Sequence, residues 1–125
     1  MNVLIVDDEV AIRLLGRVNL QADGFAVREA GDGGSALAAI HEQAPDVVLL
    51  DVMLPGEDGF EIAARLRADA RTASIPIIFL TARADIEDRE RERAVGAIGY
   101  ITKPFNPVEL GRQVREAIAG HASGR

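Results

Sequence analysis

Five short apolar runs, each followed by a stretch with helical spacing, restrict the folds open to this chain more than any other feature. The runs are Val3-Leu4-Ile5-Val6, Phe25-Ala26-Val27-Arg28-Glu29, Val47-Val48-Leu49-Leu50, Ile77-Ile78-Phe79-Leu80 and Gly99-Tyr100-Ile101-Thr102. The second is the least apolar and reads as an edge strand. Between them, Ile12, Leu15, Val18 and Leu20 form an approximate helical stripe that starts near Glu9 and ends at Gly24. Ala36, Leu37 and Ile40 follow the loop Gly31 to Ser35 and stop before Pro45. Phe60, Ile62, Ala63 and Leu66 follow a turn-rich stretch from Leu54 to Gly59. A fourth helix is predicted from roughly Asp85 to Val95, and Val108, Leu110, Val114 and Ile118 mark the last. Five strand–helix units in a row predict an α/β protein with a doubly wound parallel sheet and right-handed crossovers.

Composition agrees with that layout. Hydrophobic residues make up 48% of the chain and aromatics only 4%, so Val, Leu, Ile and Ala must fill the core. Long aliphatic runs of this kind suit parallel strands covered by helices on both faces. At 125 residues the chain makes one domain, expected over 1–120, with 121–125 as a tail or the start of a linker. The net charge of -6 argues against nucleic-acid binding through a broad basic surface of this chain. With no Cys there is neither a disulfide framework nor a thiolate metal site. No signal peptide or membrane span is visible, so a cytoplasmic domain without membrane contact is expected.

The chemistry is concentrated at the carboxyl ends of the runs. The first ends in Asp7-Asp8, the third in Asp51, the fourth in Thr81 and the fifth in Lys103-Pro104. In a parallel sheet these ends share one rim, the place where open α/β sheets bind ligands. Taken singly, each residue has an ordinary reading. Asp8 could be the N-cap of the first helix with Asp7 a solvated neighbour, Asp51 a turn residue, Thr81 a sheet residue and Lys103 a solvated surface group. Tyr100, the only tyrosine, reads by default as a half-buried strand aromatic. Taken together, acid-acid, acid, hydroxyl and amine at one rim suit a hard divalent cation and a phosphoryl group. Mg²⁺ is satisfied by one or two carboxylates plus waters and phosphate oxygens. An Asp carboxylate can attack phosphorus to give an acyl phosphate. Three crowded carboxylates raise one another's pKa values, an effect that a bound cation reverses.

These residues resemble the receiver domain of two-component response regulators, of the chemotaxis-regulator-like kind. The likeness runs from Val3 to about Ile118. Its strongest pieces are Leu4-Ile5-Val6-Asp7-Asp8-Glu9, Asp46 to Gly56 and Tyr100-Ile101-Thr102-Lys103-Pro104-Phe105. The resemblance implies a flavodoxin-like (βα)5 fold with strand order 2-1-3-4-5. It implies that Asp51 is the phosphoacceptor for a histidine kinase or phosphotransfer protein. Mg²⁺ would be held by Asp7, Asp8, Asp51 and the backbone carbonyl of Met53. Thr81 and Lys103 would grip the phosphoryl oxygens, and Thr81 and Tyr100 would act as switch residues. Independently of the resemblance, Pro104 after Lys103 is a candidate for a cis bond, whose kink would aim the ammonium inward. The signal would leave through the face of the fourth helix, fifth strand and fifth helix, toward an output domain or target protein. The domain would catalyse only its own phosphorylation and dephosphorylation.

Four positions are this chain's own. Met53 and Arg83 lie two residues beyond Asp51 and Thr81, flanking the route of an attacking water, where the family varies its dephosphorylation rate. Ile98-Gly99 stands where many DNA-binding members carry two acids that pair across a dimer, which leaves Arg112 and Arg115 without those partners. The fourth helix, Glu87 to Arg93, has almost no apolar stripe and reads as a loosely docked or solvated, salt-bridged surface. Other function classes fit less well. A haloacid-dehalogenase-type phosphatase needs a second Asp where Met53 stands, and a dinucleotide fold needs a G-x-G-x-x-G after the first strand. A receiver-like interaction module that is never phosphorylated is the alternative that keeps the same fold.

Overall fold

The computed structural model describes residues 1–82 and 86–122, with side chains described at all of these except 86–88 and 122. Strands β1 (Asn2–Val6), β2 (Ala26–Ala30), β3 (Val47–Asp51), β4 (Ile77–Thr81) and β5 (Gly99–Thr102) alternate with helices α1 (Val10–Ala22), α2 (Gly33–Glu42), α3 (Gly59–Ala68), α4 (Ile86–Ala94) and α5 (Leu110–Ala122). The strands form one five-stranded parallel sheet in the order β2-β1-β3-β4-β5. This is the flavodoxin-like order expected from the resemblance.

Alternation along each strand divides the core into two layers. Leu4, Val6, Val48, Leu50, Ile77 and Phe79 face Ala36, Ile40, Phe60, Ile62, Ala63 and Leu66 of α2 and α3. Val3, Ile5, Val47, Leu49, Ile78 and Leu80 face Leu20, Leu110 and Val114 of α1 and α5. Strands buried on both sides are why β1, β3 and β4 read as unbroken aliphatic runs. β2 and β5 are the exceptions, partly exposed as the two edges should be. Phe60 and Phe79 pack ring to ring at 4.7 Å, joining α3 to the centre of the sheet.

Two helices differ from their sequence patterns. In α1 the inward positions are Ile12, Gly16 and Leu20, while Leu15 and Val18 of the expected stripe are exposed. Gly16 explains the rotation, because a Cβ there would lie 2.9 Å from the Ile5 Cδ1. The helix approaches β1 most closely where it has no side chain, and an apolar count does not register that. In α5 the helix continues through Gly120 to Ala122, past the point where the apolar pattern stops at Ile118. Docking of Leu110 and Val114 in the core orders the helix and extends it past that glycine.

Candidate functional site

β1, β3 and β4 end together, and the chain leaving them lines a cavity of about 240 Å³ bordered by Asp8, Glu9, Asp51, Met53, Thr81 and Lys103. Asp7 is fully buried, Asp51 is 5% exposed and Thr81 is 2% exposed, whereas Asp8 is open to solvent. The burial follows from position. Asp7 comes straight after four enclosed aliphatics, and Asp51 is the last residue of a strand enclosed along its whole length.

Lys103 joins the two buried acids. Its Nζ donates to Asp7 Oδ2 at 2.9 Å and to Asp51 Oδ2 at 3.2 Å. Its own backbone N–H donates to the Thr81 carbonyl at 2.7 Å, and the following Lys103–Pro104 bond is cis. The remaining carboxylate oxygens accept from backbone. Asp7 Oδ1 accepts from Glu9 N–H at 2.9 Å and Asp51 Oδ1 from Met53 N–H at 3.1 Å. The ordinary reading of Asp8 as the N-cap of α1 is therefore corrected: Glu9 occupies the cap position without a side-chain cap bond. Asp7, beneath the turn, supplies the nearby carboxylate.

The electrostatics follow from this geometry. Burial, first, and the charge of Asp7 raise the Asp51 pKa above the ordinary carboxylate value, against the opposing Met53 N–H and Lys103. For Lys103, burial alone would lower the pKa. The hydrogen bond it donates to Asp7 and the charges of Asp51 and Asp7 outweigh it, and the ammonium is held above its usual value. One cation thus faces two buried carboxylates with a third acid at the mouth, leaving negative charge to be neutralised. Asp7, Asp8 and Asp51 each offer an oxygen within 4.8 Å of the others. An all-oxygen, carboxylate-rich set fits a hard divalent cation such as Mg²⁺.

Three supporting residues lie outside the sequence motifs. Arg13, one turn into α1, donates from Nη1 to the Asp7 carbonyl at 2.7 Å while pairing with Glu29 on β2. Gly59 opens α3 against the end of β3, where a Cβ would clash with the Asp51 carbonyl oxygen. Its N–H donates to the Val52 carbonyl at 2.8 Å. Asp58 caps α3 through the Phe60 N–H at 2.8 Å and pairs with Arg91 of α4. A glycine at the first position of a helix was the one local signal for this arrangement. Between Asp51 and Asp58, Met53–Leu54 and Glu57–Asp58 form a short antiparallel ladder closed at Gly56, whose φ is 69°.

The rest of the predicted site divides. Met53 is 68% exposed at the cavity edge. Tyr100 points outward and is 45% exposed, with the Arg89 guanidinium laid over its ring. Arg83 lies outside the described residues. The arginines of α5 are not without partners: Arg112 pairs with Glu109 and Glu116. Arg115 donates to the Asp23 carbonyl and lies over Phe25.

Comparison with known proteins gives the family of the chain. The family described as the response regulator receiver domain matches residues 3–115. The phosphate regulon transcriptional regulatory protein PhoB of Pseudomonas aeruginosa is 47% identical over 108 residues, 86% of this chain and 47% of that protein. The DNA-binding dual master transcriptional regulator RpaA of Synechocystis is 43% identical over 113 residues, 90% of this chain and 47% of that protein. The chain thus spans about half the length of these curated relatives. Among solved structures, the chemotaxis protein CheY4 of Vibrio cholerae superposes with a TM-score of 0.88 at 36% identity, covering 93% of this chain and 97% of that one. This chain belongs to the response regulator receiver domain family. Receiver domains are signalling proteins of two-component systems and typically bind Mg²⁺ through acidic residues. Among the described residues no helix is long and apolar enough to cross a membrane.

Proposed function

We propose that the domain is a phosphoacceptor switch in which Asp51 takes a phosphoryl group from the phosphohistidine of a histidine kinase or phosphotransfer protein. The observation that carries this reading is the placement of Lys103 Nζ between Asp7 and Asp51 at the mouth of an open cavity. An Asp51 oxygen forms the new P–O bond, the P–N bond to the donor imidazole breaks, and its electron pair returns to that nitrogen. A Mg²⁺ held by Asp7, Asp8, Asp51 and the Met53 carbonyl would neutralise the carboxylates and the charge on the transferring group. Lys103 and the Thr81 hydroxyl bind the phosphoryl oxygens. The Met53 N–H and Lys103 hold the acceptor carboxylate in place.

Next to the rim, α1 presents Val10, Leu14 and Val18 on one exposed face, 67%, 48% and 52% accessible. Apolar residues grouped on a surface mark a docking site. Here they offer the phosphodonor protein a seat beside Asp51. The face of α4, β5 and α5 passes the signal to an output domain or target, through Thr81 and Tyr100. Inverting such a two-state equilibrium from 1:99 to 99:1 takes about 5.5 kcal/mol of differential interaction, which a dianion bound by a metal, Lys and Thr can supply. The related transcriptional regulators carry about as much chain again beyond the matched region, and binding to DNA is stated of RpaA. The acidic charge of this chain fits a domain that controls such an output without touching nucleic acid itself.

Incubation with acetyl phosphate and Mg²⁺ tests the reading. The wild type gains one phosphoryl group and Asp51→Asn gains none; a variant still labelled would overturn it. Met53 offers no hydrogen bond to an attacking water, so the acyl phosphate is long-lived and Met53→Asn shortens its lifetime. An equal lifetime in both would remove Met53 from the account.

A further inference from the structure

We propose that Arg89 is a positioning residue that holds Tyr100 in its outward orientation, so that α4 acts as a brake on the switch; this rests on the reading of Tyr100 as a switch residue. The Arg89 guanidinium carbon lies 3.1 Å from the centroid of the Tyr100 ring. It is fixed there by Glu92, one turn further along α4, whose two carboxylate oxygens accept from Arg89 Nη1 at 3.1 and 2.9 Å. Glu92 is 5% exposed, so this ion pair is shielded and holds the planar guanidinium in one orientation. Next to it a cavity of about 210 Å³ runs between α4 and β5, lined by Arg89, Glu92, Ile98 and Tyr100. The phenol stays 45% exposed over this cavity, although Ile101, the next residue of the strand, is buried.

Inward rotation of Tyr100 would separate the ring from the guanidinium. A cation over an aromatic face contributes about 0.5–2 kcal/mol, depending on shielding, and weights the outward state by about 2- to 30-fold. The same helix reaches the phosphoacceptor side. Two residues on, Arg91 pairs with Asp58 and lies 4.1 Å from the Phe60 ring centroid. Asp58 stands in the short ladder that leaves Asp51. α4 therefore carries two arginines two residues apart, one on the ring of the switch and one on the loop after the acceptor. Release of α4 on phosphorylation would free Tyr100, and a brake of this kind lowers the apparent affinity for the phosphoryl signal by the fraction of protein held outward.

The chain has a single Tyr and no Trp, so its tyrosine emission reports on residue 100 alone. Acrylamide quenching of that emission is measured in wild type, Arg89→Gln, Arg89→Lys and Glu92→Gln, without metal or phosphoryl donor. Melting curves check that each variant is folded. If Arg89 is the brake, its removal lets the ring turn inward and quenching falls in Arg89→Gln. Glu92→Gln falls less, and Arg89→Lys stays near wild type. If Arg89 merely covers a ring that is outward for other reasons, uncovering it makes quenching rise, and an increase or no change overturns the proposal. Titration with beryllofluoride and Mg²⁺, a phosphoryl mimic, gives the second readout, in which Arg89→Gln binds about threefold to tenfold more tightly than wild type. The quenching comparison needs no phosphoryl group. A wild type unresponsive to beryllofluoride would count against the proposed function, while falling quenching in Arg89→Gln would still support the brake.

Discussion

Around Asp51 the backbone is fixed by aliphatic burial, with Leu49, Leu50 and Leu80 almost wholly enclosed between two helical layers. Around Tyr100 the described part of α4 is attached mainly by guanidinium groups, Arg89 on the Tyr100 ring and Arg91 on Phe60 and Asp58. At its carboxyl end, Val95 and Ala97 pack against the core. Arg67 of α3 donates there to the carbonyls of Val95 and Gly96. The difference fits the two tasks proposed for these regions. A phosphoacceptor must hold its oxygens in place, which dense apolar packing does well. A helix that reports on it must be able to shift, and surface cation contacts of about 1 kcal/mol each can break and re-form.

Substitutions can break that contrast, and the largest effects belong on the acceptor side. Leu50→Ala removes a fully enclosed side chain and lowers stability by roughly 2–5 kcal/mol in urea unfolding. A loss no larger than that of an α4 arginine would erase the distinction. Lys103→Met leaves Asp7 and Asp51 facing each other without their cation, at a cost of about 3 kcal/mol in metal-free buffer. Mg²⁺ restores part of this loss, and no recovery on adding it would argue against the acid cluster as a cation site.

Asp51→Asn acts in the opposite direction. Because the Asp51 pKa is raised in the folded protein, the native state binds more protons than the unfolded chain above pH 3.8. Wild-type stability therefore falls as pH rises through the window up to the raised value. Asp51→Asn lacks that loss, so its advantage in melting temperature grows with pH across the window. A difference between the two proteins that does not vary with pH would contradict it.

Gly59→Ala forces a methyl group against the Asp51 carbonyl oxygen and costs about 1–3 kcal/mol, with slower phosphorylation by acetyl phosphate. Arg91→Ala should have the smallest effect, about 0.5–1 kcal/mol, since its partner Asp58 is partly solvated. Hydrogen exchange should then rise in α4 and leave β3 and β4 unchanged, which sharpens the contrast if observed.

Much of the acceptor side was legible in the sequence, for a physical reason. Parallel strands buried on both faces leave unbroken aliphatic runs, and the residue after each run must fall on one rim. Asp7, Asp51, Thr81 and Lys103 could be placed there without knowing any contact. The α4 side was not legible in the same way. Its charges read as a solvated surface because a local pattern cannot show that Arg89 meets a ring eleven residues later, or that Arg91 reaches back to Asp58. The facing of α1 is hidden from the sequence for a related reason. Its central inward position is Gly16, between Ile12 and Leu20, and the exposed Leu15 and Val18 add to the apolar signal.

The central claim is that phosphoryl transfer ends on one oxygen-bearing side chain, Asp51. Borohydride reduces an acyl phosphate to an alcohol, so treating the phosphorylated domain and mapping its peptides by mass spectrometry locates the acceptor directly. Transfer to Asp51 yields homoserine at position 51 and unmodified Asp7 and Asp8. Reduction at Asp7, at Asp8 or on another element, with Asp51 intact, would contradict it.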